Sequence, residues 1–501
     1  MTPRLTKSLT RGTLYILLLA VISMVSYGGV LQYTFWIDDW GYLWEAFHNV
    51  HELLKSWIHL GTSLEFFVGA RLFGTEPIPW LICGIILRVG AAYAVSLATG
   101  ALTKSKKAAM ISGIFFAVFA VGVQAVGWPN AYVVFMAAIG ICVGIYGIIT
   151  YFEKGTKGDL YVGLLGIFSA LALDFARAVP IIFIVLLLLY SDRSKRSYFG
   201  KKIMLWIIGG LVVTAIGVVL LEPSAFTYSV LFKSIAKYHF SAIFFYKSLQ
   251  FTENIFGSIW NLCTGWITTM VQDPGNGVYH RLYSRGTFIV IMLTLCFAFY
   301  QYVIKKEKAW GLVLLCVLWL PLFYLPQWLY EPRITVDVTH RYLVIPSIGF
   351  IILISYCVSR VRNIRLQIAF IVLFLIINIV NSQKYIANAL VYRSADINTI
   401  VLKAVEASVA DSNKRNIFVF FGQDPVKVNV LDLSGNAHFA LDEHQTTFVQ
   451  RAVVTTDVSS IIKQVQLGDI MLSQVYSWDV NNSGAVVDIS KSLRESIQKV
   501  L

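Results

Sequence analysis

Phe35-Trp36-Ile37-Asp38-Asp39-Trp40-Gly41-Tyr42 follows an apolar run from Leu14 to Leu31. Two adjacent carboxylates therefore stand where a first membrane helix would leave the bilayer, among aromatic side chains suited to the interface. Next to lipid an aspartate is poorly solvated and needs water, a partner or a raised pKa, and each of these can make it a proton acceptor. The competing reading is a solvated turn after a helix, and the pair alone does not decide between them.

Composition decides the class. Of 501 residues, 57% are hydrophobic and 14% charged, more apolar surface than a soluble fold of this size could hide, so the chain reads as a polytopic membrane protein. The net charge of +13 comes from short basic clusters between apolar runs, where membrane orientation explains it better than nucleic acid, which is excluded as a partner. Cys83, Cys142, Cys296, Cys316 and Cys357 fall inside apolar runs and Cys263 beside one, with no metal-like spacing, so neither a metal nor a disulfide framework is expected. Leu14 to Gly28 has the basic start of a signal peptide but no small-residue cleavage site before the acidic pair, and is kept as a helix.

The apolar runs lie at roughly 13–31, 79–99, 108–126, 130–151, 160–174, 178–190, 202–221, 286–304, 309–325, 342–359 and 366–383. That gives about eleven spans in a mostly α helical bundle; the two short runs, 160–174 and 178–190, are also open to reading as a hairpin that does not cross fully. Basic clusters at Arg4, Lys7 and Arg11, at Lys104, Lys106 and Lys107, at Lys154 and Lys157, at Arg193 to Lys202, at Lys305, Lys306 and Lys308, and at Arg360, Arg362 and Arg365 all fall on one side. The positive-inside rule makes that side, with the N-terminus, cytoplasmic. The acidic pair in a first outer loop (32–78), a long loop (222–285), the loop 326–341 and the C-terminus are then extracytoplasmic.

In the first outer loop, Leu43, Phe47, Val50, Leu54 and Trp57 recur at spacings of three and four, with Glu45, His48, His51, Glu52 and Lys55 on the remaining face. This predicts an amphipathic helix lying in the interface. His48, His51 and Glu52 could hold a metal, but histidines on the wet side of such a helix are more often only solvated. A second loop helix is expected near 255–271. From about residue 384 the composition becomes that of a soluble domain reaching residue 501, α/β or α+β, with a helix over 392–410 and another over 459–466. Its strands are expected near 417–421, 426–431, 447–454, 470–475 and 486–489. Asp442, Glu443 and His444 there read as a loop, and no phosphate loop, zinc spacing or GxSxG marks a separate enzyme.

Ionisable residues inside the membrane part carry the remaining signal. Arg88 lies within the second span, Asp174 and Arg177 flank the junction of the two short runs, and His340 and Arg341 open the tenth span. Any one arginine could simply snorkel to a headgroup. Together they point to an outward-facing polar cavity in which guanidinium groups grip a phosphate and carboxylates take a proton.

The acidic pair, the amphipathic loop helix, Leu72-Phe73-Gly74, Trp128-Pro129-Asn130 and His340-Arg341-Tyr342-Leu343-Val344-Ile345-Pro346-Ser347-Ile348-Gly349-Phe350 resemble the GT-C superfamily of membrane glycosyltransferases. The nearest likeness is to protein O-mannosyltransferases and tetratricopeptide-containing transmembrane mannosyltransferases, whose matching stretch reads Glu-Arg-Tyr-Leu-Tyr-Leu-Pro-Ser-Ile-Gly-Phe. The resemblance covers roughly residues 10–383, assigned as the catalytic domain 1–383, and is most specific from Arg341 to Phe350. It implies transfer of a sugar, of hexosyl or mannosyl type, from a polyprenyl-phosphate carrier at the outer face, inverting at the anomeric carbon. Asp38 is then the first candidate for general base and Asp39 the second; Arg341, His340, Arg88 and Arg177 are candidates for binding the donor phosphate. Relatives often carry Lys-Glu where this chain has Asp174 and Phe175, and His where it has Arg88, and they often continue into tetratricopeptide repeats, which are absent here.

The chemistry is coherent from the residues as well. An anomeric carbon with an anionic leaving group needs a base for the acceptor hydroxyl and a cation for the departing phosphate. A carboxylate and an arginine supply both. No cofactor beyond the lipid-linked donor is expected, a divalent metal being the disfavoured alternative, and the acceptor is left open among protein, lipid and glycan. The competing classes are a transporter or flippase of lipid-linked glycans, which should show paired internal repeats, and a non-catalytic scaffold that binds envelope glycan. A bacterial cytoplasmic membrane is the expected location.

Overall fold

The computed structural model describes residues 3–36, 38–55, 60–185, 244–267, 277–307, 309–330, 337–393, 416–422, 452–455, 458–480 and 486–501. Among them, seven helices are long and apolar enough to cross a membrane: Gly12–Gln32, Pro77–Thr103, Pro129–Lys154, Leu282–Ile304, Ala309–Pro326, His340–Arg360 and Ile364–Leu390. Several turn their largest apolar side chains outward. Leu14, Leu17, Val21 and Val25 are exposed on the first, Ile289, Val290, Leu293 and Phe297 on the fourth, and Leu366, Val372, Leu373, Ile376 and Val380 on the last. Water would penalise such stripes, whereas lipid solvates them, so the chain is an integral membrane protein.

Four of the eleven expected spans are not among the seven. Residues 202–221 and the last five of 178–190 lie outside the described residues. Lys157–Leu173 is a helix of 17 residues, at the short end of spanning length. The run 108–126 is a correction: helix α6 (Lys106–Val118) stops after 13 residues, and the chain turns before a short helix, α7 (Val123–Val126). Phe119 leaves the helical region at φ −58 and ψ 116, and Gly122 is left-handed at φ +95. A Cβ at Gly122 would sit 2.5 Å from Cγ2 of Val344, so this turn accepts only glycine. Hydropathy does not register the break because every residue from Phe119 to Val126 is buried. The freed backbone groups find partners within the protein: the Asn378 side chain accepts from the Ala120 amide at 2.9 Å, and Arg88 donates to the Phe119 carbonyl.

The first outer loop is a small folded unit. After helix α1 (Pro3–Tyr27), helices α2 (Asp38–His48), α3 (Val50–Lys55) and α4 (Leu60–Phe73) pack on one another, with α4 against α5 (Pro77–Thr103). Phe35, Trp40, Phe66 and Trp80 form its core, with Phe35 edge-on to Trp40 at 5.3 Å and Phe66 at 5.1 Å from Trp80. The expected single amphipathic helix is broken at Asn49. Its buried face is Trp40, Leu43, Trp44 and then Leu53, while Phe47 is exposed; Trp57 falls outside the described residues.

Helices α8 (Val133–Lys154) and α9 (Lys157–Leu173) meet along a seam of small residues. A Cβ on Gly147 would lie 2.3 Å from the Gly163 nitrogen, and one on Gly166 2.6 Å from the Gly144 nitrogen. Backbone rests on backbone here, the close approach that membrane helices use when the hydrophobic effect cannot draw them together. Elsewhere the expected loop helix is Phe244–Thr264, and the last membrane helix runs from Ile364 to Arg393, past residue 383, without interruption.

Toward the C-terminus, strands β1 (Asn416–Gly422), β2 (Ala452–Thr455), β3 (Val475–Val480) and β4 (Val486–Asp488) form a sheet in the order β2-β1-β3-β4. β1 pairs parallel with both neighbours, placing Ile417 opposite Val453 and Val475, and β4 closes the edge antiparallel to β3. Ile417, Val419, Ile461, Val475 and Ile497 fill the core beneath helices Val458–Gln466 and Ser490–Val500. The strand expected near 470–475 starts instead at Val475, a short 3-10 turn over Leu472–Gln474 preceding it. The expected strand at 426–431, the helix over 394–410 and the Asp442-Glu443-His444 loop lie outside the described residues.

Candidate active site

The acidic pair opens α2, and its two carboxylates have opposite fates. Asp39 is fully buried: its Oδ2 accepts the Trp36 amide at 2.8 Å and its Oδ1 accepts the Asn130 amide at 2.9 Å. Asp38 is exposed, and its Oδ2 accepts from Nδ2 of Asn130 at 3.1 Å. One asparagine thus holds both acids, one through its backbone and the other through its side chain. Trp128-Pro129-Asn130 is thereby joined to the first outer loop, and Trp36 packs on Trp128 with ring centroids 4.7 Å apart.

Trp128 is also the floor of the cationic half. The Arg341 guanidinium lies 4.2 Å from the Trp128 ring and 4.4 Å from the Tyr342 ring. It donates from Nη1 to Oε1 of Gln124 at 3.2 Å and from Nη2 to the Tyr342 hydroxyl at 2.7 Å. Arg177 approaches the same Tyr342 ring at 5.3 Å. Its Nη1 is paired with Asp174 at 2.7 Å, and Asp174 also caps the short helix Phe175–Ala178 by accepting the Arg177 amide at 3.3 Å. Two guanidinium groups that share one ring repel each other electrostatically, and an anion between them relieves that repulsion. Asp38 lies within electrostatic reach of Arg341, so the exposed carboxylate and the cations border one site.

The other two expected phosphate ligands stand apart from this pair. Arg88 is wholly buried in the helix core, donating from Nη2 to the Phe119 carbonyl at 2.8 Å, with the Phe116 ring at 4.4 Å and those of Tyr27 and Phe135 at 5.4 and 5.5 Å. Aromatic faces and a helix-end carbonyl are what make an arginine tolerable at that depth. His340 is buried beneath Arg341, its ring nitrogens 3.2 and 3.3 Å from the Gly122 and Gln124 amides and its ring 4.7 Å from Tyr385. A neutral imidazole has one acceptor nitrogen, so one of these amides is bonded at a time. His340 and Arg88 therefore support the turn carrying Gln124, which in turn holds Arg341.

Three residues with no role in the sequence reading belong here. Gln124 anchors Arg341, as above. Arg393, at the end of the last membrane helix, is buried against the Trp36 turn. Glu65, on α4, has both carboxylate oxygens buried and no hydrogen-bond partner, and burial together with nearby Asp39 holds its pKa well above the ordinary range. Of the residues disfavoured as a metal trio, His48 stacks on Trp44 at 5.3 Å and His51 is exposed. Among the described residues no three His, Cys, Asp or Glu side chains gather as a metal site.

Burial pushes the Asp39 carboxyl from its ordinary value of 3.8 up to about 7; Asp38 adds to the rise, while the two amide donors and Arg393 oppose it. Below that pH the protonated acid has one acceptor fewer for the Trp36 and Asn130 amides, so the clamp on Asn130 loosens. Activity should therefore climb as pH rises through about 7. Stability moves oppositely. A folded-state pKa above the unfolded one favours the fold fully below about pH 4 and loses that contribution as pH rises through about 7, by up to roughly 4 kcal/mol. Melting of the detergent-solubilised protein between pH 4 and 8 checks the sign, and Asp39→Asn should flatten the dependence.

No protein-family model matches the chain, and no curated protein matches it. Among solved structures it is similar to the apo oligosaccharyltransferase of Archaeoglobus fulgidus, with 12% identity and a TM-score of 0.45 over 85% of this chain and 63% of that one. It is also similar to apo ArnT of Cupriavidus metallidurans, with 13% identity and a TM-score of 0.37 over 94% of this chain and 93% of that one. The chain spans less than two thirds of the oligosaccharyltransferase it matches.

Proposed function

We propose that this chain is an inverting membrane glycosyltransferase that moves a sugar from a polyprenyl-phosphate carrier to an acceptor hydroxyl on the extracytoplasmic side. One observation carries the reading: Asn130 holds the exposed carboxylate of Asp38, and the neighbouring Trp128 carries the Arg341 guanidinium, so a base and a cation border one aromatic floor. Asp38 takes the proton of the acceptor hydroxyl as its oxygen attacks the anomeric carbon. The bond from that carbon to the phosphate oxygen breaks, and its electron pair leaves with the phosphate, which Arg341 and Arg177 receive. Asp38 is exposed and returns the proton to water. Asp39, with both oxygens engaged by amides, positions Asn130 and is not the base in this scheme.

The test is transfer from a purified polyprenyl-phosphate hexose to oligosaccharide, lipid or peptide acceptors by the protein in detergent or liposomes. Product of inverted anomeric configuration supports the reading. Movement of the lipid donor between leaflets with no transfer overturns it. Sidedness follows from the basic clusters, which put the acidic pair and the C-terminus outside. A reporter active only outside the membrane, fused after Leu501, should be active, and a silent fusion there with an active one at Lys104 inverts the topology.

A further inference from the structure

Arg393 is the last residue of the helix Ile364–Arg393, the final membrane helix before the C-terminal sheet in sequence. It is nearly fully buried rather than snorkelling. Its Nη2 donates to the Gly127 carbonyl at 2.6 Å, one residue before Trp128. Its guanidinium lies 4.5 Å from the Tyr33 ring and 4.7 Å from the Trp36 ring, and its own carbonyl accepts the Thr34 amide at 3.0 Å. One residue therefore grips the segment leading into the acidic pair and, at the same time, the backbone leading into Trp128 and Asn130. The Asn130–Asp39 contact joins the same two segments from the other side.

We propose that Arg393 is a positioning residue for the acidic pair, fastening the Trp36 turn to the Gly127 carbonyl and tying the start of the C-terminal chain to the geometry of Asp39 and Asn130. The role rests on the glycosyltransferase reading only for its effect on turnover; the clamp itself is a property of the fold. Besides Arg393, the groups that face Asp39 are Asp38 on its own helix, Glu65 on α4 and Tyr132 ahead of α8, and Arg393 is the cation among them, opposing the rise that burial imposes on the Asp39 carboxyl. A consequence concerns truncation. A chain ending at Gln383 lacks Arg393 and should lose the site geometry along with the sheet, whereas one ending just after Arg393 loses only the sheet.

The experiment measures the ionisation of Asp39 by infrared difference spectroscopy on the full-length protein, assigned by subtraction of Asp39→Asn, in wild type, Arg393→Lys and Arg393→Gln. Gln keeps a donor for the Gly127 carbonyl and removes the charge; Lys keeps the charge and loses the planar fork. Losing the cation should raise the Asp39 midpoint by about one unit in Arg393→Gln, with less change in Arg393→Lys. For a group titrating near 7, one unit cuts the ionised fraction at pH 7 from a half to about a tenth, so turnover there should fall about fivefold and recover at higher pH. Equal folding in all three proteins with no movement of the Asp39 midpoint overturns the proposal. A shifted midpoint in a protein whose wild type transfers no sugar leaves the clamp standing and removes the enzyme reading instead. Should Arg393→Gln not fold, Arg393→Lys decides: a wild-type midpoint with reduced turnover supports the clamp, because the charge is kept and the fork lost, and a wild-type midpoint with wild-type turnover overturns it.

Discussion

Turnover in Asp38→Asn is expected to fall by roughly 10² to 10⁴ with folding and donor binding retained. The amide keeps the size of the side chain and can still accept from Nδ2 of Asn130, so the contact that orients residue 38 survives. What it cannot do is take a proton. Asp39→Asn should look different. Both oxygens of Asp39 accept backbone amides, and an asparagine offers one oxygen and one donor, so one amide is left facing an N–H. The expected result is a smaller fall in turnover, greatest above about pH 7, where the wild-type carboxylate is ionised and accepts both amides. Single-turnover assays beside melting curves separate the two effects. Full activity in both variants sinks the base mechanism and puts a transporter of lipid-linked glycans in front.

Arg341→Ala is expected to weaken donor binding by about 2–4 kcal/mol, the range for removing one partner of a desolvated charge contact. Part of the loss is structural, because Arg341 fills the space between the Trp128 and Tyr342 rings and satisfies Gln124. Arg341→Lys separates the parts: it keeps a cation near Tyr342 but cannot hold Gln124, the Tyr342 hydroxyl and a phosphate with one planar group. Its donor affinity should fall between wild type and Arg341→Ala. Binding of a fluorescent polyprenyl-phosphate analogue measures both, and an unchanged affinity in Arg341→Ala returns this arginine to a headgroup role.

Much of this site is written in local patterns. The acidic pair after the first apolar run, Trp128-Pro129-Asn130 and the stretch from Arg341 to Phe350 are short motifs, and the structure brings pieces of all three together. What joins them is long-range and leaves no local trace. No periodicity links Asn130 to Asp39, or Gln124 to Arg341, since each pair is set by how distant helices stack. Arg88 was legible as a costly intramembrane charge, but its partner is the carbonyl of Phe119, exposed only because the apolar run 108–126 breaks there. A hydropathy window reads through that break, because its turn is as buried as a helix. Arg393 lies beyond the point where composition turns polar, so it reads as part of the soluble region although its helix is continuous from Ile364. Glu65 hides in an ordinary helical pattern, and only its lack of a partner sets it apart.

The glycine seam between α8 and α9 has a bearing on the site, although no seam residue touches it. Asn130, beside the acids, lies just ahead of α8, and Asp174 with Arg177 lies just after α9, so the two helices run out and back and place both halves of the site at the same end. The seam therefore works as a fixed calliper. Its jaws are the Asn130 end and the Arg177 end, and its width is set where main chain meets main chain, with no side-chain rotamer to take up slack. A methyl group at Gly147, Gly163 or Gly166 would pry the jaws apart, altering the span between attack and departure from a distance.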